Sequence, residues 1–166
     1  MLRTIEDFQK DWVYESAATT KILNALTDES LGQKVTPTGR SLGTLAWHLT
    51  TTLGEMLGNV GLKIDAPAHG AECPTSAAAI ASAYQKAAKS VGDEIARNWN
   101  DETLQQEDNM YGDTWKRGVT LFALIAHQAH HRGQMTVLMR QAGLSVPGVY
   151  GPSKEEWEAH GIPAMA

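Results

Sequence analysis

The hydrophobic positions of the chain repeat with the period of an α-helix in four separate stretches. The first stretch runs from Ile5 to Leu26, where apolar residues fall on one helical face and polar residues fill much of the rest. The sequence Thr-Pro-Thr-Gly at 36–39 breaks the pattern. A second stretch follows Ser41, a suitable N-cap, and ends near Gly58 to Gly61. The pattern therefore predicts two amphipathic helices in the N-terminal part of the chain.

Two further periodic stretches occupy the C-terminal part. An alanine-rich helix is predicted from a cap at Thr75 or Ser76 to about Trp99. After a polar connection, the longest periodic run extends from Trp115 to Ala142, and Gly143 stands at the expected position just past its end. No pair of strands with an alternating pattern is visible in the sequence.

A short last helix is predicted around Trp157, because Ser153 and Glu156 match a capping box. Helices of roughly 18 to 28 residues, at about 1.5 Å per residue, are long enough to span a small bundle. We therefore predict an all-α four-helix bundle with a short C-terminal helix, formed as a single domain over residues 1–166.

Charge and composition narrow the classes of function. The chain has 14 basic and 19 acidic residues, a net charge of −5, and no run of Lys or Arg, so we do not expect a nucleic-acid partner. No apolar stretch approaches the length of about 18 residues needed to cross a bilayer, so we do not expect a membrane protein. Cys73 is the one cysteine, which excludes an intrachain disulfide and a cysteine-only zinc site. We expect a cytoplasmic protein with a small-molecule substrate.

Histidine is the residue type that carries the candidate chemistry. His127 and His131 are four residues apart, so they lie about 40° apart at the edge of the core-facing stripe of the fourth helix. His130 falls off that edge, and we therefore prefer His127 and His131 as a pair. On the second helix, His48 lies beside the apolar stripe and can meet this pair inside a small bundle.

Three neutral imidazoles from two helices match the ligand count of a catalytic divalent site, which keeps positions for water or substrate. An all-nitrogen set suits Zn, Ni, Cu or Fe, and we expect Zn, Ni or Fe. The alternative is a coincidental H-x-x-x-H pair, with His48 as a core histidine bonded to a backbone carbonyl. Two other histidines, His69 and His160, fall in predicted loop or tail positions and are expected at the surface.

Four side chains point within about 40° of the predicted ligands on their own helices: Glu55, Thr52, Gln134 and Thr120. Glu55 is the candidate general base, and the alternative is a solvated residue or an anchor for His48. Three aromatic residues lie near the bundle ends and could line a pocket, although such residues more often close the core: Tyr111, Trp115 and Tyr150.

A second apolar face on the fourth helix predicts a homodimer, because a helix that is apolar on both sides is buried on both sides. The residues of this face are Phe122, Ala126, Ala129, Gly133 and Val137, with Trp47, Gly54 and Gly58 on the second helix. The alternative is contact with the first and third helices of the same bundle.

The run HQAHHRGQ at 127–134 resembles the DinB-like superfamily, which includes damage-inducible proteins and YfiT-like metal-dependent hydrolases. The resemblance extends over nearly the whole chain and includes the Tyr-Gly-Pro loop at 150–152 and the single histidine of the second helix. It implies a four-helix bundle in which His48, His127 and His131 bind a divalent metal ion.

Characterised members of that superfamily include thiol S-transferases and thiol-dependent isomerases, and many members have no known substrate. The resemblance therefore implies a metal-dependent enzyme, either a hydrolase or a thiol S-transferase that uses a low-molecular-weight thiol. Because Cys73 has no cysteine partner, such a thiol would come from outside the chain. The alternative is a stress-associated, metal-binding dimer without catalytic activity.

Overall fold

A computed structural model describes residues 3–159 and 161–163, so the predicted surface position of His160 lies outside the described residues. The mostly helical architecture confirms the predicted all-α bundle with a short C-terminal helix. The helices are α1 (Ile5–Asn24), α2 (Leu42–Gly58), α3 (Ala77–Asn98), α4 (Arg117–Gln141) and the short α5 (Lys154–Ala159), with 3₁₀ helices at Glu29–Gly32 and Asp101–Gln105.

The ends of the long helices follow local signals in the sequence. Ser41 before α2 and Ser76 before α3 each accept a hydrogen bond from a backbone N–H three residues later, as N-cap residues do. Gly143 follows α4 with a φ of 76°, a conformation that glycine adopts without steric cost. These caps explain why the predicted starts of α2 and α3 and the predicted end of α4 are close to the observed ones.

A β-hairpin precedes α4, in a segment where the sequence shows no pair of strands with an alternating pattern. Strands β1 (Glu107–Met110) and β2 (Asp113–Lys116) pair antiparallel around Tyr111 and Gly112. Both turn residues have positive φ, at 57° and 94°, as a tight two-residue hairpin requires. The strands are short and mostly exposed, so no alternation marks them. Because β2 uses residues 113–116, α4 begins at Arg117 and not at the predicted Trp115.

Helices α1 and α2 lie at opposite corners of the bundle, and each packs against both α3 and α4. Fully buried side chains from all four helices fill the space between them, among them Phe8, Ile22, Leu49, Leu53, Ile80, Tyr84 and Leu124. None of the helices in the described part of the chain is long and apolar enough to cross a membrane. The α2–α4 contact is the one that brings the predicted ligand histidines together.

The outer face of α2 is covered by the chain's own loop at 62–76. The indole N–H of Trp47 donates to the carbonyl oxygen of Ala71 at 2.8 Å. A Cβ atom at Gly54 would lie 3.0 Å from the Cβ of Ala66, so the loop approaches the helix where glycine leaves room. These residues of α2, predicted as part of a dimer face, therefore contact the same chain.

Candidate metal centre

Three histidines from α2 and α4 converge at the contact between the two helices. The Nε2 atom of His127 lies 3.1 Å from Nε2 of His48 and 3.1 Å from Nε2 of His131. One ligand atom from each of the three residues lies within 4.8 Å of the others. The four-residue spacing on α4 and the position of His48 on the neighbouring helix thus place three imidazole nitrogens around one point.

The separations fit the coordination shell of one metal ion. Two histidine nitrogens that are each about 2.1 Å from a common ion stand about 3.0 Å apart at a right angle and about 3.4 Å apart at the tetrahedral angle. The observed Nε2–Nε2 distances of 3.1 Å lie between these values. An all-nitrogen set of three ligands suits several divalent transition metals and leaves coordination positions for water or substrate. The residues present therefore fit such an ion.

Hydrogen bonds between the rings do not account for the cluster. Nδ1 of His131 lies 2.7 Å from Oε1 of Gln134, which can only accept, so Nδ1 carries the proton of the neutral ring and Nε2 carries a lone pair. Nε2 of His127 then either donates one hydrogen bond or accepts one, and it faces two close nitrogens. At least one close nitrogen pair is left without a proper hydrogen bond, and a cation at the centre would satisfy all three lone pairs.

The surroundings keep the three rings in the neutral form that metals bind. Burial lowers the pKa of His48 to about 4, and repulsion from His131 and Arg40 acts in the same direction. Burial also lowers the pKa of His127 to about 4, again with repulsion from His131. The pKa of His131 is lowered by burial as well, although its bond to Gln134 acts in the opposite direction. At neutral pH the rings are therefore uncharged and available as ligands.

Gln134 orients His131 and also contacts His130, which is not one of the three clustered histidines. Its Oε1 accepts from Nδ1 of His131, and its Nε2 lies 3.1 Å from Nε2 of the exposed His130. An acceptor behind a ligand imidazole sets the tautomer and the ring orientation. The structure thus places the predicted helper Gln134 next to the cluster and leaves His130 outside it.

Thr52 and Thr120, which were also predicted to point toward the ligands, do not contact the three imidazole rings through a hydrogen bond. Thr52 donates its hydroxyl to the carbonyl oxygen of His48 at 2.8 Å. The hydroxyl of Thr120 and Nδ1 of His127 are buried and have no hydrogen-bond partner in the described part of the chain. Cys73 is partly buried in the loop before α3, where its sulfur lies 3.5 Å from the carbonyl oxygen of Gly43, and it is not a member of the cluster.

Gln128 joins three helices to α4 beside the histidines, a role that sequence reasoning missed. Its Nε2 donates to the carbonyl oxygen of Leu49 on α2 at 3.3 Å. Its Oε1 accepts from the hydroxyls of Tyr84 on α3 at 3.0 Å and of Thr19 on α1 at 3.3 Å. Because Gln128 and Leu49 each directly follow a clustered histidine, this bond fixes the backbones that carry them. An amide on the core-facing stripe was the available signal, since buried polar groups need partners.

A buried ion pair on a neighbouring face of α4 was also missed. Arg132 is 2% exposed, and its guanidinium donates to Oε2 of Glu15 at 2.5 Å and to the hydroxyl of Thr19 at 2.9 Å. The hydroxyl of Tyr150 lies 2.9 Å from both carboxylate oxygens of Glu15. Tyr150, predicted as a possible pocket residue, therefore ties the C-terminal loop to the bundle.

Glu55, the predicted general base, lies outside the histidine cluster. It is seven residues from His48, which corresponds to about 10 Å along the helix axis. Its Oε1 accepts from the hydroxyl of Tyr111 at 3.0 Å, and its Oε2 lies 3.9 Å from Nδ1 of His69. The charge of His69 is among the causes that lower the pKa of His48.

Tyr111, predicted as a possible pocket residue, contacts Glu55, and the sequence did not reveal this contact. It has a φ of 57°, which is uncommon for a residue other than glycine, and this conformation in the hairpin turn carries its hydroxyl to Glu55. Its ring packs edge to face against Trp115, with the centroids 6.1 Å apart. Burial and the Glu55 carboxylate raise the pKa of Tyr111 to about 12, so the hydroxyl is a stable donor to that carboxylate.

Comparisons with known proteins agree with this architecture. The chain is 48% identical over 164 residues to the uncharacterized protein YrdA of Bacillus subtilis (strain 168), which covers 99% of this chain and 98% of that protein. A solved DinB-like protein from Bacillus cereus matches with a TM-score of 0.87 and 44% identity, over 90% of this chain and 100% of the other. A DinB-like protein from Bacillus subtilis, YjoA, has the same fold, with a TM-score of 0.67 at 15% identity, over 88% and 99% of the two chains.

The family assignment does not depend on one motif. The model of the DinB family matches residues 1–165, which is nearly the entire chain, and the match includes both helices that carry the clustered histidines. The resemblance found in the sequence is thereby confirmed. With its helical bundle and its three-histidine cluster, the chain belongs to the DinB family.

Proposed function

We propose that the protein binds one divalent metal ion through His48, His127 and His131 and uses it in a reaction on a small molecule. The reaction is of the hydrolase or the thiol S-transferase type. The observation that supports this proposal is the convergence of three histidines, with Nε2 of His127 at 3.1 Å from Nε2 of each of the other two, which hydrogen bonds between neutral rings cannot satisfy. Zn, Ni and Fe are the ions that we propose for the site.

When bound, such an ion would supply Lewis-acid activation of water or of a thiol. Within the chain, Gln134 holds the ring of His131 so that its Nε2 lone pair faces the cluster. Glu55 is the proposed proton acceptor, and the hydroxyl of Tyr111 holds its carboxylate in place. Cys73 is not a member of the cluster, so a thiol would come from the low-molecular-weight thiols of a reducing cytoplasm, where we place the protein.

Elemental analysis of protein purified without an affinity tag tests the metal site. We expect close to one divalent ion per chain, and we expect His131→Ala to lose most of it. His69→Ala serves as a matched control, because His69 is an exposed histidine outside the cluster, and it should retain the ion. Equal metal content in the wild type and His131→Ala would end the proposal.

A screen of substrates tests whether the site is catalytic. The protein would be offered electrophiles together with external thiols, and esters and amides without a thiol. Glu55→Gln should reduce the activity that is found while the metal content stays unchanged. The second candidate function is a stress-associated metal-binding protein without turnover. It is supported by the absence of a carboxylate from the cluster within the described residues, and it predicts bound metal with no activity in either arm.

We also propose a homodimer that forms through the outer face of α4. Phe122 is 58% exposed and Val137 is 54% exposed on this face, and a Cβ atom at Gly133 would meet nothing within 4 Å. Apolar side chains that stay this open on one helix face are typical of an interface. Sedimentation that shows a monomer at micromolar concentration would remove this proposal.

A further inference from the structure

A groove of about 560 Å³ opens beside the histidine cluster, toward the C-terminal half of α4. His131 and Gln134 form part of its wall, so the groove is continuous with the candidate metal centre. Val35, Leu45 and Leu138 form an apolar part of the same wall. The volume lies within the range of pockets that bind small molecules. The groove therefore has the position and the size of a substrate pocket.

Arg40 lines this groove and has no partner of its own. Within the part of the chain that the structure describes, its guanidinium makes no hydrogen bond and no ion pair. Four of the other five arginines are each paired with a carboxylate, namely Arg97, Arg117, Arg132 and Arg140, and Arg3, near the N-terminus, does not line the groove. A guanidinium presents several fixed donors that match the two oxygen atoms of a carboxylate or phosphate group. Arg40 therefore offers an unused anion-binding group at the groove.

The charges around Arg40 favour an anion there. No Asp or Glu lines the groove, although the chain as a whole carries a net charge of −5. Arg40 directly precedes Ser41, the N-cap of α2, and the first turn of that helix has no acidic residue. The positive charge of Arg40 and the positive end of the helix dipole repel each other. A bound anion would relieve this repulsion, so the arrangement favours anion binding.

We propose that the groove binds a small organic anion and that Arg40 recognises its charged group. The anion carries a carboxylate or a phosphate group, its short apolar part lies against Leu45 and Leu138, and its remaining end points toward His131. The role of His131 in this inference rests on the proposed function, because it assumes a metal ion at the histidines. Binding of the anion itself depends only on the groove and on Arg40.

Calorimetric titration with three probes of similar size tests the proposal: butyrate, butyl phosphate and the neutral butyramide. Arg40→Gln should weaken the binding of at least one of the two anions tenfold or more and should leave the weak binding of butyramide unchanged. Lys34→Gln is the matched control, since it removes the same charge from the same loop at a residue that does not line the groove. It should change anion affinity less than twofold, and Arg40→Lys should retain part of the affinity.

Each outcome has a defined meaning. Loss of butyrate binding alone identifies a carboxylate ligand, and loss of butyl phosphate binding alone identifies a phosphate ligand. Equal anion binding by the wild type and Arg40→Gln, butyramide that binds as tightly as the anions, or no anion binding by the wild type overturns the proposal. The titrations are repeated after chelation, and metal content is measured in parallel. A wild type without metal would contradict the proposed function, whereas Arg40-dependent binding would still decide the anion site.

Discussion

His131 and Arg132 are adjacent in the sequence, but they serve two different regions on neighbouring faces of α4, about 100° apart around the helix. His131 faces α2, where three imidazole nitrogens crowd together without enough hydrogen bonds to satisfy them. Arg132 faces α1, where Glu15 neutralises its charge and the hydroxyls of Thr19 and Tyr150 complete most of the hydrogen bonds. The charge on the α1 side is neutralised within the chain, whereas the lone pairs on the α2 side would be satisfied by a cation.

Whether the buried polar groups are already paired distinguishes a structural region from a ligand site. A buried charge pair is costly to break by removing one partner, and its charges are already neutralised, so it has little left to offer a ligand. Converging lone pairs on neutral, buried rings cost stability and are retained where they bind something. Changes on the two faces of α4 should therefore have separable effects, one on unfolding and the other on metal binding.

Arg132→Met should produce the largest effect, a loss of about 3–5 kcal/mol in the free energy of unfolding, because it leaves Glu15 buried without its partner. Urea unfolding measures this loss. The double variant Glu15→Gln with Arg132→Met should recover part of it, since the uncompensated charge is then removed.

Arg97→Gln provides the control for this prediction, because it breaks an exposed ion pair with Glu94. It should cost at most about 1 kcal/mol. If Arg132→Met were no more destabilising than this control, the view of the α1 side as a structural region would be wrong.

Gln134→Leu should weaken metal binding and leave the free energy of unfolding nearly unchanged. It removes the acceptor behind His131, so metal affinity should fall about 10–100-fold in a competition titration with a chelator. Its free energy of unfolding without metal should change by no more than about 0.5 kcal/mol, because the residue is exposed. Gln141→Leu, an exposed glutamine at the end of the same helix, should leave both quantities unchanged. An unchanged metal affinity in Gln134→Leu would show that the bond does not support the site.

A last prediction concerns the pH dependence of stability. Without metal, the free energy of unfolding should decrease as the pH is lowered from about 6.5 to about 4. The pKa of His48 and that of His127 are about 4 in the folded protein against the ordinary 6.5, so the unfolded chain binds more protons in this window. Urea unfolding at several pH values should show a shallower decrease for the variant His48→Gln with His127→Gln. Identical slopes would contradict the assignment of the effect to these rings.

The sequence predicted the helices well because helical periodicity and caps are local signals. Ser41, Ser76 and Gly143 mark helix ends by interactions within a few residues. The hairpin before α4 carried no such signal, because its exposed four-residue strands have no alternating pattern and its turn places a tyrosine where asparagine or glycine is usual.

Helix geometry was enough to predict which histidines lie together in the site, but it could not predict the residues that surround them. The four-residue spacing of His127 and His131 fixes a shared face wherever the helix packs. Glu55 shares the helix face of His48, but angular position says nothing about the distance along the axis or about Tyr111, which is 56 residues away in the chain. Its assignment as a general base therefore remains a prediction.

By itself, the sequence determined the helical fold, the acidic surface and which histidines could share one side of the bundle. The tertiary structure decided which partners those groups meet. Gln128 reaches Leu49 across 79 residues of chain, and Arg132 reaches Glu15 across 117. A periodic pattern states which face of a helix is buried, but the neighbour on that face depends on how the four helices pack. For the same reason only the folded chain places the unpaired Arg40 beside His131.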